Sequence, residues 1–61
     1  ELIVWMGYDP SNELLEIFFV DGTERTFSGV SFGAAQSFVT ADDPDLYYEN
    51  AIKDRYTRVY A

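Results

Sequence analysis

The chain has 61 residues, 48% of them hydrophobic and eleven of them aromatic, and it sets eleven Asp and Glu against four Lys and Arg for a formal charge of −7. It contains no cysteine and no histidine, which excludes disulfides, thiolate chemistry, the usual zinc sites and Ser-His-Asp or Cys-His catalysis. The anionic balance disfavours binding to nucleic acid or to an anionic membrane by charge alone, and no apolar run approaches the roughly 20 residues of a membrane span.

This length allows one domain, spanning residues 1–61, and a chain so short buries only about 60% of the surface its unfolded form exposes. The aromatics compensate, since each brings roughly 150–250 Å² of area to be buried. Residues 2–6 are too few for a signal peptide and lack a basic flank. Together with the absence of cysteine, this leads us to expect a cytoplasmic protein.

Residues 1–8 form a β-prone run. Asp9-Pro10-Ser11-Asn12 follows, four turn-favouring residues in a row. From Glu13 to Val20 the pattern alternates, with Leu15, Ile17 and Phe19 on one uniformly apolar face and Leu14, Glu16, Phe18 and Val20 on the other. We therefore assign the first set to the core. Asp21-Gly22 is the signal of a two-residue type I′ hairpin, which needs positive φ at both central positions. Thr23 to Ser28 returns as a third strand, with Arg25 and Phe27 on one side and Glu24 and Thr26 on the other. Three antiparallel strands with an apolar face need a covering layer.

The second half supplies that layer. Ser31 is placed to cap a helix from Phe32 to about Thr40, with Phe32, Ala35 and Val39 at i, i+3 and i+7 and Phe38 beside them. Gly33 weakens it by up to about 1 kcal/mol relative to alanine. Asp42-Asp43-Pro44 breaks it and starts another: Asp43 as cap, Pro44 at the first position, and Asp45 in the first turn, where the dipole favours negative charge. Lys53 and Arg55 fall near its C-terminal end, where positive charge is favoured. Tyr48, Ile52 and Tyr56 make a core-facing stripe. Thr57 to Tyr60 is a short β-prone tail suited to pairing with the sheet edge. The fold expected is α+β: a three-stranded antiparallel β-meander, two short helices and a short C-terminal strand.

The order Leu15-x-Ile17-x-Phe19-x-x-Gly22, then Phe27 and Val30, then Ala41, Tyr47-Tyr48-x-x-x-Ile52-Lys53-x-x-Tyr56 resembles the KTSC domain. That short module is named for its occurrence at the C-terminus of some lysyl-tRNA synthetases and is also found alone in bacterial and phage proteins. The resemblance runs from Tyr8 to Arg58. It implies a compact α+β module without established catalytic activity, for which a nucleic-acid-related role has been proposed. This chain departs from the family pattern in three places. Val30-Ser31 stands where a Val-Pro pair is usual, and Arg25 stands where an aromatic is usual. Asp43, Asp45, Tyr47, Tyr48 and Glu49 replace a loop of Ser and Gly before Tyr-Phe-Asn. If that corner contacts an anion in relatives, three acidic replacements remove the contact here.

Candidate sites follow from these placements. Asp42, Asp43, Asp45 and Glu49 form an acidic corner. The bland reading is a solvated capping cluster, and the functional one is a face for a basic partner. Cation binding is not expected, because the turn lacks a glycine and a full ligand loop. Acid–base catalysis needs a pocket that perturbs carboxylate pKa values, for which this chain has little room, so no enzyme and no cofactor is expected. Trp5, Leu14, Phe18 and Tyr47 are the apolar candidates for a protein partner. Leu14, Phe18 and Val20 share the face opposite the core, and Trp5, Met6 and Tyr8 are expected to extend that patch unless Trp5 and the C-terminal tail cover it. The sheet edge leaves homodimerisation open. The only route to nucleic acid is Tyr47, Lys53, Arg55 and Arg58, with Glu49 and Asp54 cancelling their field. Glu49 and Lys53 are also an i,i+4 pair in the favourable orientation. The leading expectation is a small non-enzymatic protein-binding module; the resemblance, to a family also found in phage, extends this to an inhibitor that imitates the charge of DNA. The alternatives are a nucleic-acid accessory domain and a purely structural or dimerising module.

Overall fold

The structure is a computed structural model describing residues 2–60. Glu1, which opens the expected β-run, and Ala61, which closes the single domain, lie outside the described residues. Strands β1 (Ile3–Asp9), β2 (Leu14–Phe19) and β3 (Glu24–Ser28) are followed by helix α1 (Phe32–Val39), helix α2 (Pro44–Tyr47), a π-helical segment (Tyr48–Ile52) and strand β4 (Thr57–Val59). The sheet has the order β1-β2-β3-β4, every pair antiparallel. The meander and the starts of both helices match expectation, and the tail becomes a full fourth strand on β3, with Thr26 opposite Val59 and Phe27 opposite Arg58.

The core lies between one face of the sheet and the helices. Leu15, Ile17 and Phe19 are buried as their alternation requires, together with Phe27, Val30, Ala35, Phe38, Tyr48 and Ile52. Tyr48 joins the layers edge-on, its ring 5.2 Å from Phe19 and 6.1 Å from Phe27.

Both hairpins differ from their sequence reading in an informative way. Asp9 organises the first turn, accepting from the Ser11 N–H at 3.0 Å and from the Asn12 amide at 2.9 Å. Chiefly through the Asn12 bond, this holds its carboxyl below the ordinary value of 3.8. Glu13 was expected in the strand but belongs to the turn, at φ +53°. The second hairpin is not a two-residue type I′ turn. Only Gly22 takes positive φ, +90°. The Gly22 N–H donates to the Phe19 carbonyl at 3.0 Å, and the Phe19 N–H to the Thr23 carbonyl at 2.9 Å. The loop is therefore Val20-Asp21-Gly22, a tight turn plus a glycine in the left-handed region, the usual three-residue hairpin. The Asp21 carboxylate decides between the two: it accepts from the Thr23 N–H at 2.9 Å and the Thr23 hydroxyl at 2.7 Å. Val20 thereby leaves the strand and is exposed.

The register of β1 contains a second departure. Ile3 pairs with Phe19 and Trp5 with Phe18, so β1 advances two residues where β2 advances one. This bulge at Val4 puts Ile3, Met6 and Tyr8 all on the core side. The expectation that Met6 and Tyr8 extend the outer patch is thus corrected: a bulge shifts the side-chain parity of everything beyond it.

Ser31 caps α1 as expected, its hydroxyl accepting from the Ala34 N–H at 3.2 Å. The buried stripe of α1 is narrower than the spacing suggested. Ala35 and Phe38 are in the core, whereas Phe32 and Val39 are 64% and 47% exposed. Eight residues make barely two turns, and Phe32 in the first turn packs sideways against Tyr8, ring centroids 6.4 Å apart. Asp43 caps α2 by accepting from the Leu46 N–H at 3.2 Å, with Pro44 at the first position. The regular helix expected through Arg55 ends after one turn. The Lys53 N–H then reaches the Tyr48 carbonyl at 2.9 Å, a five-residue step whose wider turn keeps Tyr48 and Ile52 facing the core. Tyr56 packs against the same cluster.

Candidate functional site

The acidic corner is largely committed to the fold. Asp43 is a helix cap. Asp45 accepts from the Ile3 N–H at 2.8 Å, tying the start of β1 to the first turn of α2. Glu49 lies 3.4 Å from Lys53 across an i,i+4 spacing. Asp42 is exposed. Among the described residues no three carboxylates come together as a cation site would require.

The four nucleic-acid candidates do not form one surface. Tyr47 stacks on Phe38, centroids 5.8 Å apart and planes at 27°, so its ring faces the core cluster and not a base. Arg55 lines a shallow depression with Glu49, Asn50 and Asp54, where it faces carboxylates. Lys53 and Arg58 do come together, and they are joined by Arg25 around a concavity of about 290 Å³ that Phe27, Tyr48, Asp54 and Tyr60 complete. Sequence reasoning missed Arg25. The available signal was its parity with Phe27, which put a cation on the inward face of β3; the pairing of β4 then sets Arg58 opposite Phe27. Two aromatic faces hold the guanidinium groups, Arg58 lying 4.4 Å from the Tyr60 centroid and Arg25 5.6 Å from that of Phe19. Such contacts are attractive by about 0.5–1 kcal/mol at exposed sites.

The outer face of the sheet carries Trp5, Leu14 and Phe18. Trp5 meets Phe18 edge-on, centroids 5.2 Å apart at 84°. Its indole runs over Gly7, where a Cβ would stand 2.3 Å from Trp5 Cη2. The missing side chain of Gly7 is therefore the seat of the indole. Trp5 remains 52% exposed, with Val4 at 62% and Val20 at 64% around it. Leu14 is half-buried. The tail does not cover this patch, since it lengthens the sheet sideways as β4. A second apolar surface lies on the helix side, a groove of about 260 Å³ lined by Tyr8, Phe32, Ala35, Gln36, Val39 and Thr40. Its exposure follows from the rotation of α1 that leaves Phe32 and Val39 outside. At its edge the Tyr8 hydroxyl donates to the Val30 carbonyl at 2.6 Å. Burial, and then the charges of Glu13 and Asp9, push that phenol above its ordinary 10.0.

A four-stranded antiparallel meander with two short helices on one face, a bare aromatic patch on the other and a basic concavity at the β3–β4 edge defines a small α+β module. The chain belongs to the KTSC domain family, whose profile matches residues 1–56. That span includes residues 3–7 of β1, which lie before the stretch carrying the sequence resemblance. The chain is also similar to the KTSC domain protein YPO2434 from Yersinia pestis, known from a crystal structure. The two are 30% identical over 97% of this chain and 83% of that one, with a TM-score of 0.90. No curated protein matches the chain. Among the described residues no helix is long and apolar enough to cross a membrane.

Proposed function

We propose that this chain is a non-enzymatic protein-binding module that docks through the outer face of its sheet, with Trp5 as the anchor. The observation that carries the reading is a half-exposed indole seated against the Phe18 edge and in the space left by the missing Cβ of Gly7. Binding anchors are enriched in tryptophan because a large rigid ring buries much area at little entropic cost. Glu16 shares this face with Leu14 and Phe18, and Glu24 stands opposite Phe18 on β3. With a net charge of −7, the partner that fits has apolar contacts framed by basic residues. The finer version is an inhibitor that offers carboxylates in place of phosphates to a basic groove of a nucleic-acid-binding protein. The overall charge supports that version, while three members of the acidic corner are already bonded within the chain.

The test is affinity capture from a lysate with the native chain, Trp5→Ser, and charge reversal at Asp42, Asp43, Asp45 and Glu49. The expected result is a captured protein lost with Trp5→Ser, the variant remaining folded by circular dichroism. Capture that survives Trp5→Ser overturns the reading, and capture that survives charge reversal removes its charge-mimic version. A nucleic-acid accessory role is the second reading, favoured by the gathering of Arg25, Lys53 and Arg58. Fluorescence anisotropy with tRNA and single strands at low salt addresses it, and no binding at tens of micromolar protein ends it. A dimer, for which the open edge of β1 offers a pairing surface, is read directly by light scattering.

A further inference from the structure

We propose that the concavity between β3, β4 and the turn after the π-helical segment is a binding site for a single oxyanion, a phosphate or carboxylate group. The inference is independent of the Trp5 face, which belongs to the opposite edge strand and the opposite side of the sheet.

Three observations converge. First, three of the four cations in a chain of net charge −7 line this one depression. Like charges brought together repel, and an anion seated among them relieves that repulsion. Among the described residues Asp54 is the carboxylate in the lining. Glu49 reaches Lys53 only at 3.4 Å, with both side chains about half exposed. A surface pair of that kind is weak and yields Lys53 readily to a competing acceptor.

Second, the Arg58 Nε is buried and, among the described residues, has no hydrogen-bond partner. A guanidinium carries five N–H donors and no acceptor, and a donor hidden from water without a partner is costly. An oxyanion that draws the guanidinium toward the cavity supplies the missing acceptor through a charge-assisted bond. The group closing over it is the ring of Tyr60, 75% exposed and therefore free to swing aside.

Third, the size fits. At about 290 Å³ the concavity sits at the lower edge of ligand pockets, which run from about 300 to 1,000 Å³. That is room for one phosphate or carboxylate and an adjoining fragment against Tyr60. Arg25 is steadied by the face of the buried Phe19 ring. Such pre-organisation suits planar, forked recognition.

The test is a nuclear magnetic resonance titration of the ¹⁵N-labelled full chain with sodium phosphate, sodium acetate and sodium chloride at matched ionic strength, reading the arginine Nε–Hε signals. Phosphate, acetate or both should shift the Arg58 signal saturably, with a dissociation constant on the order of 1 mM, while Arg55 stays still. The anion that saturates identifies the chemistry. Lys53→Met, at an exposed site that leaves the fold intact, should weaken binding several-fold, and Asp54→Asn should tighten it. Equal movement with chloride, uniform movement of all the arginine signals, or unchanged affinity in both variants would overturn the proposal.

Discussion

Gly7 is worth more to this molecule as an absence than any side chain placed there. A Cβ would collide with the far end of the Trp5 ring, and because that ring is half exposed it can swing away. Gly7→Ala should therefore cost little stability, less than about 1 kcal/mol, well short of an overpacked core. It should visibly change the fluorescence of the single tryptophan as the indole leaves Phe18. Glu13 shows the opposite case, a side chain where the backbone would rather have none. At φ +53° a non-glycine residue is strained by roughly 1–2 kcal/mol, a cost that asparagine tolerates better. Glu13→Asn should raise the unfolding free energy by up to about 1 kcal/mol, read as an upward shift of the urea midpoint. Tyr8 ties stability to alkaline pH. Its phenol is raised above 10.0, so the neutral form is favoured in the folded state. Its contribution is fully present below that value and is lost as pH rises through the raised one. Asp9 has the reverse sign: lowered below 3.8, it contributes above that value and loses its contribution as pH falls through the lowered one. Stability profiles of Tyr8→Phe and Asp9→Asn should each be flatter than the native profile, at the alkaline and acid ends respectively.

At the scale of elements, the two turns and the π-helical segment matter most. The β2–β3 loop depends on Gly22 at φ +90° with open space around it, so Gly22→Ala meets strain from the backbone and no steric clash. The expected loss is about 1–2 kcal/mol in urea denaturation. In α1 the cap, the start and the end follow from Ser31 and from the short polar run after Val39. Which stripe is buried does not follow, because two turns of helix allow more than one rotation against a sheet. Phe38 prevails over Phe32 because it lies beneath Tyr47, a contact that comes from the next helix. The π-helical segment is likewise invisible in the residues Tyr48 to Ile52. It reflects the need to bring both Tyr48 and Ile52 into the core cluster before the chain turns back to form β4.

For the whole molecule, nine buried residues make up the core of the described chain. A domain of this size retains only a few kcal/mol of net stability. Truncating one large core ring typically costs about 3–5 kcal/mol, so Phe38→Ala should leave the chain largely unfolded at room temperature. Circular dichroism and the loss of Trp5–Phe18 fluorescence features should report this together. The outer face is where the same economy shows from the other side. A chain that needs Phe19, Phe27, Phe38 and Tyr48 to build its small interior still leaves Trp5 half exposed on the surface, and in our reading that surplus is the function.

The sequence by itself determined the strand alternation of β2, the caps at Ser31 and Asp43, the break at Pro44 and the Tyr48–Ile52–Tyr56 stripe. Each rests on neighbours a few residues apart, where local sterics and side-chain period dominate. The family was legible too, from the order of matching residues between Leu15 and Tyr56. The tertiary structure alone decided the bulge that turns Met6 and Tyr8 inward, the three-residue hairpin and the rotation of α1. It also decided the meeting of Arg25, Lys53 and Arg58. These depend on which strand lies opposite which residue. Such pairings are settled by packing the whole core at once, and no local window of the chain contains that constraint.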